Sequence, residues 1–206
     1  MLRPDFIARQ SRCPSGWLGW LIGSIMALET APENQEALRL LEVQGHNRIL
    51  EIGFGHGRAL AALARRCPSC TLAGAEVSHT MLTLARLWNH RASRQRRLDL
   101  RLTSGPSLPF PPASFDRAYS VHTIYFWPRP EEHLANIREV LAPGGRFVLG
   151  FRPPSDDLRR KFPAPVYRFR EPEEVQALLL GAGFTRVHLA PPSPHTRGAA
   201  FAVASR

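Results

Sequence analysis

The sequence predicts a doubly wound α/β domain: a mostly parallel seven-stranded sheet with an antiparallel last strand, helices on both faces and an N-terminal helical cover. Three observations predict it. From Arg48 onward, short apolar runs alternate with helical-period segments, the pattern of parallel strands joined by crossover helices. The first run ends in glycines at alternate positions, Gly53, Gly55 and Gly57, directly before a helix. The last two runs are joined by a link with no helix in it, so they pair antiparallel.

With 206 residues, 44% hydrophobic and 21% charged, the chain suits one globular domain with a substantial core. Residues 1–45 read as the cover, 46–151 as the core, 152–170 as a Pro- and Arg-rich lid insertion, and 171–206 as a last helix and strand pair. In the cover, Gly16–Leu28 is apolar and holds Trp17, Trp20 and Met26. It reads as an amphipathic helix laid over something. It is too short to span a membrane, and a membrane-surface helix is the less favoured alternative, since its polar face lacks a basic stripe. Met1-Leu2-Arg3-Pro4-Asp5 does not resemble a signal-peptide start.

The strands follow in order. Arg48–Ile52 is the first, with its helix at Arg58–Arg66. Thr71–Glu76 is the second, and a helix over Thr80–Asn89 follows with Ser78 as N-cap. Leu98–Thr103 is the third strand. Phe115–Val121 is the fourth, after the turn-rich Pro109-Phe110-Pro111-Pro112. A helix over Glu131–Leu141 is stopped by Pro143-Gly144-Gly145, and Arg146–Phe151 is the fifth strand. Pro172 opens the helix Glu173–Leu180, and Phe184–Leu189 and Ala199–Ala204 close the sheet.

The net charge of +10 is nearly all arginine, since Lys161 is the only lysine. The densest cluster, Arg91-Ala92-Ser93-Arg94-Gln95-Arg96-Arg97, has no interleaved aromatics and reads as a solvated connection. A nucleic-acid partner is therefore not favoured. Cys13, Cys67 and Cys70 are an odd count without a secretory signal, which predicts a reducing, cytoplasmic setting. Cys67-Pro68-Ser69-Cys70 ends a helix where a redox motif should begin one, and no second pair offers zinc ligation. No metal site is predicted, and the oligomeric state is not legible.

The chemistry gathers at the strand tips. Glycines let backbone approach a ligand closely, and the helix start behind them offers unpaired N–H groups. Glu51, just before them, disfavours a pyrophosphate and suits an amino-acid-bearing sulfonium nucleotide. Glu76 ends the second strand, where an acid can accept ribose hydroxyls. A dinucleotide fingerprint would need G-x-G-x-x-G, and a P-loop would need Gly-Lys-Ser/Thr; neither is present.

In these residues the chain resembles the class I S-adenosylmethionine-dependent methyltransferases, and most of all their small-molecule branch of ubiquinone and menaquinone type. Leu50-Glu51-Ile52-Gly53-Phe54-Gly55-His56-Gly57 is similar to the family's first motif. Leu108-Pro109-Phe110 with Phe115-Asp116, and Arg138-Glu139-Val140-Leu141-Ala142-Pro143-Gly144-Gly145, are similar to its later ones. The resemblance implies a Rossmann-like fold and S-adenosyl-L-methionine as cofactor. It implies a site of Glu51, Gly53, Phe54, Gly55, Gly57 and Glu76, with Val77 and Met81 on the adenine. Ser104 and Gly105 stand where the family often has Gly-Asp before the adenine amino group; Ser104 accepts a hydrogen bond only weakly. Ser120, at the fourth strand's tip, joins the cofactor set.

The implied reaction is in-line methyl transfer to a small-molecule acceptor. An RNA methyltransferase and a non-catalytic S-adenosylmethionine-binding module are the alternatives. His122 is the candidate general base, with Tyr125 beside it, and Phe126 and Trp127 as an apolar wall. Trp17, Trp20, Phe162 and Tyr167 are expected to complete an aromatic pocket from the cover and the lid. Arg152, Arg159 and Arg160 are expected to attract an anionic acceptor. His56 is expected to shape the glycine loop.

Overall fold

The structure, a computed structural model, describes residues 4–206, the side chain of Ala27 excepted. The first three residues of the expected cover, and so most of the start read against a signal peptide, lie outside the described residues.

The cover is three helices, α1 (Asp5–Arg12), α2 (Gly16–Glu29) and α3 (Ala31–Leu40). The core follows as β1 (Arg48–Ile52), α4 (Arg58–Arg66), β2 (Thr71–Glu76), α5 (His79–Trp88), the short α6 (His90–Arg94), β3 (Leu98–Leu102) and β4 (Phe115–Val121). A single 3-10 turn (Ile124–Phe126), α7 (Pro130–Val140), β5 (Leu141–Phe151), α8 (Asp156–Lys161), α9 (Pro172–Gly181), β6 (Thr185–Leu189) and β7 (Ala200–Ser205) complete the chain. The strands form one seven-stranded sheet in the order β3-β2-β1-β4-β5-β7-β6. Only β7 runs against the others, paired antiparallel with both β5 and β6.

The alternation of each strand sets the two faces. Leu50, Ile52, Phe147 and Leu149 point to the side covered by Ile137 of α7 and Leu179 of α9. Ile49, Leu72, Tyr119 and Val148 point to the side covered by Leu41, Leu60 and Leu82, next to or within α3, α4 and α5. Leu50 and Phe147 are fully buried, and truncating a residue such as Leu50 to alanine would cost about 2–5 kcal/mol.

Two expectations shift. The fifth strand begins at Leu141 rather than Arg146: Leu141 pairs with Phe115, then Arg146 pairs with Arg117, so Ala142–Gly145 bulge out between them. Gly144, at φ 75°, gives the bulge its turn. The second correction concerns the cysteines. α4 ends at Arg66, the chain turns through Pro68-Ser69, and Cys67 and Cys70 come within 5.4 Å Cα to Cα and are bonded as a disulfide. Cys13 keeps a free, exposed thiol. No helix of the described residues is long and apolar enough to cross a membrane.

Candidate active site

The parallel strands all deliver their carboxyl ends to one edge, and the order reverses between β1 and β4. A crevice at such a switch point is where open α/β sheets bind ligands. Here it is a cavity of about 430 Å³, floored by Glu51, Gly53, Phe54, Gly55, His56, Glu76, Val121, His122 and Thr123. Its roof is the cover: Ser11, Arg12, Gly23, Met26, Thr30, Asn34 and Gln35. The cover is pinned there by Ser78, whose hydroxyl donates to Pro14 O while accepting the N-cap bond from Met81 N–H at 3.1 Å.

The two acids differ. Glu76 is nearly fully buried and accepts three backbone N–H bonds, from Gly55, Val77 and Ser78, each at 2.9 Å. Burial pushes its carboxyl up, and those three donors pull it back. It thereby ties the glycine loop to the tip of β2, and an ionised carboxylate with about four acceptor positions keeps one for a ligand. Glu51 has an oxygen, Oε2, that is buried with no partner. Burial pushes its carboxyl up to about 8, against the pull of the Tyr119 hydroxyl, and the charge of Glu76 raises it further. Gly55 sits between them at φ 56°, with open space where a Cβ would project. A side chain there would be strained and would fill the cradle.

His122 follows β4 in a left-handed conformation, φ 59°, uncommon for a non-glycine residue. Its Nδ1 lies 3.0 Å from the Tyr125 hydroxyl, which also accepts a bond from the Arg152 backbone N–H. Burial, with the Arg152 charge adding to it, pushes His122 down to about 3. His56 also lines the cavity and is pushed down to about 4 by burial and Arg58; its Nε2 has no partner.

Of the residues singled out in the sequence, Glu51, Gly53, Phe54, Gly55, Glu76, Met81 and His122 line this cavity. Tyr125 stands behind His122, in an aromatic cluster with Tyr167 and Phe169. Gly57 caps α4 instead. Ser120 is fully buried and donates to Ile52 O at 2.8 Å, stitching β4 to β1. Val77, Ser104 and Gly105 are exposed outside the lining. The lid segment contributes Phe162, Tyr167 and Phe169 to the aromatic cluster but no residue to the cavity wall. Trp17 and Trp20 face away from it, because α2 turns Gly19 and Gly23 inward. Arg152 is not free for an acceptor: it pairs at 3.2 Å with Glu33 of α3, which is 0% exposed. Asn34 and Gln35, polar wall residues, carry no motif that a single sequence would reveal.

Residues 50–149 match the family described as Methyltransferase domain. The chain is 33% identical over 139 residues to the uncharacterized methyltransferase YdaC of Bacillus subtilis, covering 66% of this chain and 74% of that one. The chain belongs to the class I S-adenosylmethionine-dependent methyltransferases. This methyltransferase is also 34% identical over 142 residues to the demethylmenaquinone methyltransferase of Tropheryma whipplei, covering 68% of this chain but only 55% of that relative. The crystal structure of a SAM-dependent methyltransferase from Aquifex aeolicus shares the fold, with a TM-score of 0.70 at 17% identity over 100% of this chain and 99% of that one. The residues of the methyltransferase fit its cofactor. The partnerless Glu51 oxygen offers a cationic amino group an acceptor, and the Gly55 cradle leaves room for the backbone to approach a ligand.

Proposed function

We propose that this methyltransferase acts on a small, largely apolar acceptor that carries an oxygen close to the methylated atom, of the chemical kind that demethylmenaquinone represents. One observation carries this reading. His122 lines the cavity together with Phe126, Val121, Met26 and Leu38, which give its wall an apolar share beside polar residues such as Thr123, Asn34 and Gln35. Bound S-adenosylmethionine supplies an already activated methyl group, so no covalent enzyme intermediate is needed. Glu51 would hold its amino group and Glu76 its ribose, with Met81 against the base. The protein's own work is alignment and exclusion of water, for which orientation alone is worth on the order of 7–11 kcal/mol.

In this reading His122 orients rather than deprotonates. A base works best with a pKa near the working pH, and His122 lies far below it. Its Nε2–H instead donates to the acceptor's oxygen, and Tyr125 fixes that tautomer. The cover, through residue 45, shapes the acceptor side, and the 152–170 segment buttresses Tyr125.

The same reading keeps the enzyme in the cytoplasm. The free, exposed Cys13 thiol favours it, and the Cys67–Cys70 link speaks against it. Thiol titration of rapidly denatured protein separates the two, with three reactive thiols expected for a reducing compartment.

The functional test is transfer of labelled methyl from S-adenosylmethionine to a panel of short-chain quinols, phenols and amines. Methylation of the oxygen-bearing rings is expected. Labelling of amines alone, or no binding of S-adenosylhomocysteine by calorimetry, would overturn the reading.

A further inference from the structure

Helix α2 is built inside out. Two of its three glycines, Gly19 and Gly23, face the protein at close quarters. A Cβ on Gly19 would lie 2.7 Å from the Pro14 carbonyl carbon, and one on Gly23 would lie 2.8 Å from Met81 Cε and Sδ. That inward contact fixes the rotation of the helix and sends its large side chains outward. Trp17, Trp20, Leu21, Ile25 and Leu28 recur at helical spacing and are 79%, 51%, 43%, 50% and 61% exposed. Ser24, the polar position within the stripe, donates its hydroxyl to Trp20 O at 2.8 Å and so is satisfied by its own helix. The sequence reading of an amphipathic helix with its apolar side down is thus reversed: the usual polar face is absent.

A contiguous apolar stripe of this kind on a soluble surface marks an interaction site. We propose that the outward face of α2 docks on an anionic lipid bilayer. Charge selects this occupant. The chain carries +10, while α2 holds a single charged residue, Glu29, at its end. The exposed Arg9 and Arg12 precede the stripe directly. Two copies of a chain this basic repel each other, whereas an anionic leaflet attracts each of them. Tryptophans at the head of an apolar helix suit the interfacial layer, where an amphipathic ring sits at headgroup level. The other side of the same helix brings Gly23 and Met26 to the cavity roof. Docking would therefore lay the roof of the active site against the lipid. An apolar acceptor could then enter without crossing water. That last step rests on the functional reading above; the docking itself does not.

Flotation with vesicles tests it. The intact chain should float with phosphatidylcholine vesicles containing phosphatidylglycerol, less so at high salt, and not with phosphatidylcholine alone. The variant Trp17→Ser/Trp20→Ser/Ile25→Ser should lower the bound fraction by about tenfold or more, with S-adenosylhomocysteine affinity unchanged. Brominated lipids should quench the emission of the unmodified chain and lose that quenching in Trp17→Phe/Trp20→Phe, which should still float. Three results would overturn the proposal: no flotation of the unmodified chain with anionic vesicles, flotation that survives the serine variant, or a dimer in solution that the serine variant dissociates. Flotation without S-adenosylhomocysteine binding would refute the methyl-transfer reading and leave the docking intact.

Discussion

The Tyr125 hydroxyl lies 3.0 Å from Nδ1 of His122, and the backbone N–H of Arg152 donates to that hydroxyl as well. In the proposed reading the hydroxyl donates to Nδ1, which leaves the imidazole proton on Nε2. A residue buried behind the cavity thus decides what the cavity presents.

Replacing Tyr125 with phenylalanine should therefore lower kcat by roughly two- to tenfold, the worth of one hydrogen bond of roughly 0.5–1.5 kcal/mol, while S-adenosylmethionine affinity stays unchanged. His122→Gln should retain more activity than His122→Ala, since the amide can still donate. Neither should remove a limb near pH 6.5 from the kcat profile, because His122 is already neutral across that range. A lost acidic limb at that pH would restore the general-base role.

Cofactor affinity should be bell-shaped in pH with its maximum near 8. Below about 8 the Glu51 carboxyl is protonated in the free protein and must lose its proton to meet an ammonium, so affinity falls about tenfold per pH unit. Above that range the ligand's own α-amino group loses its charge. Calorimetry with S-adenosylhomocysteine across this range checks the shape, and Glu51→Gln should flatten the acidic side.

Glu76→Gln should cost about 1.5–3 kcal/mol of cofactor binding through loss of a charge-assisted bond. It should also loosen the glycine loop, since the Gly55 N–H loses its carboxylate. Faster hydrogen exchange at Gly55 in the unliganded protein would register that second effect separately from affinity.

Acid should destabilise the fold before most carboxylates titrate. His56 and His122 have folded pKa values of about 4 and about 3, below the ordinary 6.5, so the unfolded chain binds protons that the folded chain refuses. Their contribution is fully present above 6.5 and is lost as pH falls from there toward 3. Urea midpoints measured from pH 7 to 4 should drop steadily, and His56→Asn/His122→Gln should flatten the drop. Glu51 works in the opposite sense, since its raised pKa favours the fold at low pH and that contribution fades as pH rises from 4.5 to 8.

The sheet was legible because its signal is periodic. β1, β2 and β4 begin and end at the residues where the apolar runs begin and end, and the glycines mark the loop beside them. The floor of the site was legible for the same reason, since Glu51 and Glu76 occupy strand ends. What the sequence could not carry was orientation. Whether the tryptophans of α2 point in or out depends on how closely Gly19 and Gly23 approach Pro14 and Met81, the second of which lies on a distant segment. The partner of Arg152 lies 119 residues away on α3, and no local pattern announces it. The role proposed for His122 depends on its hydrogen bond to Tyr125, which spacing alone does not assign.

The Glu33–Arg152 pair can be probed directly. Arg152→Met leaves Glu33 buried without its counter-charge and should destabilise toward the low end of about 3–5 kcal/mol, since Arg152 itself is partly exposed. The double variant Glu33→Leu/Arg152→Met should recover most of that loss in a thermal melt.

That same pair bears on how such enzymes can be recombined. Glu33 belongs to the cover and Arg152 to the end of the sheet, so each half has been fitted to the other. A chimera that borrows a foreign cover to change acceptor preference would strand one ion in a dry setting unless the matching acid travels with it. Exchangeable modules in this scaffold therefore have their seam at an electrostatic lock rather than at a loop.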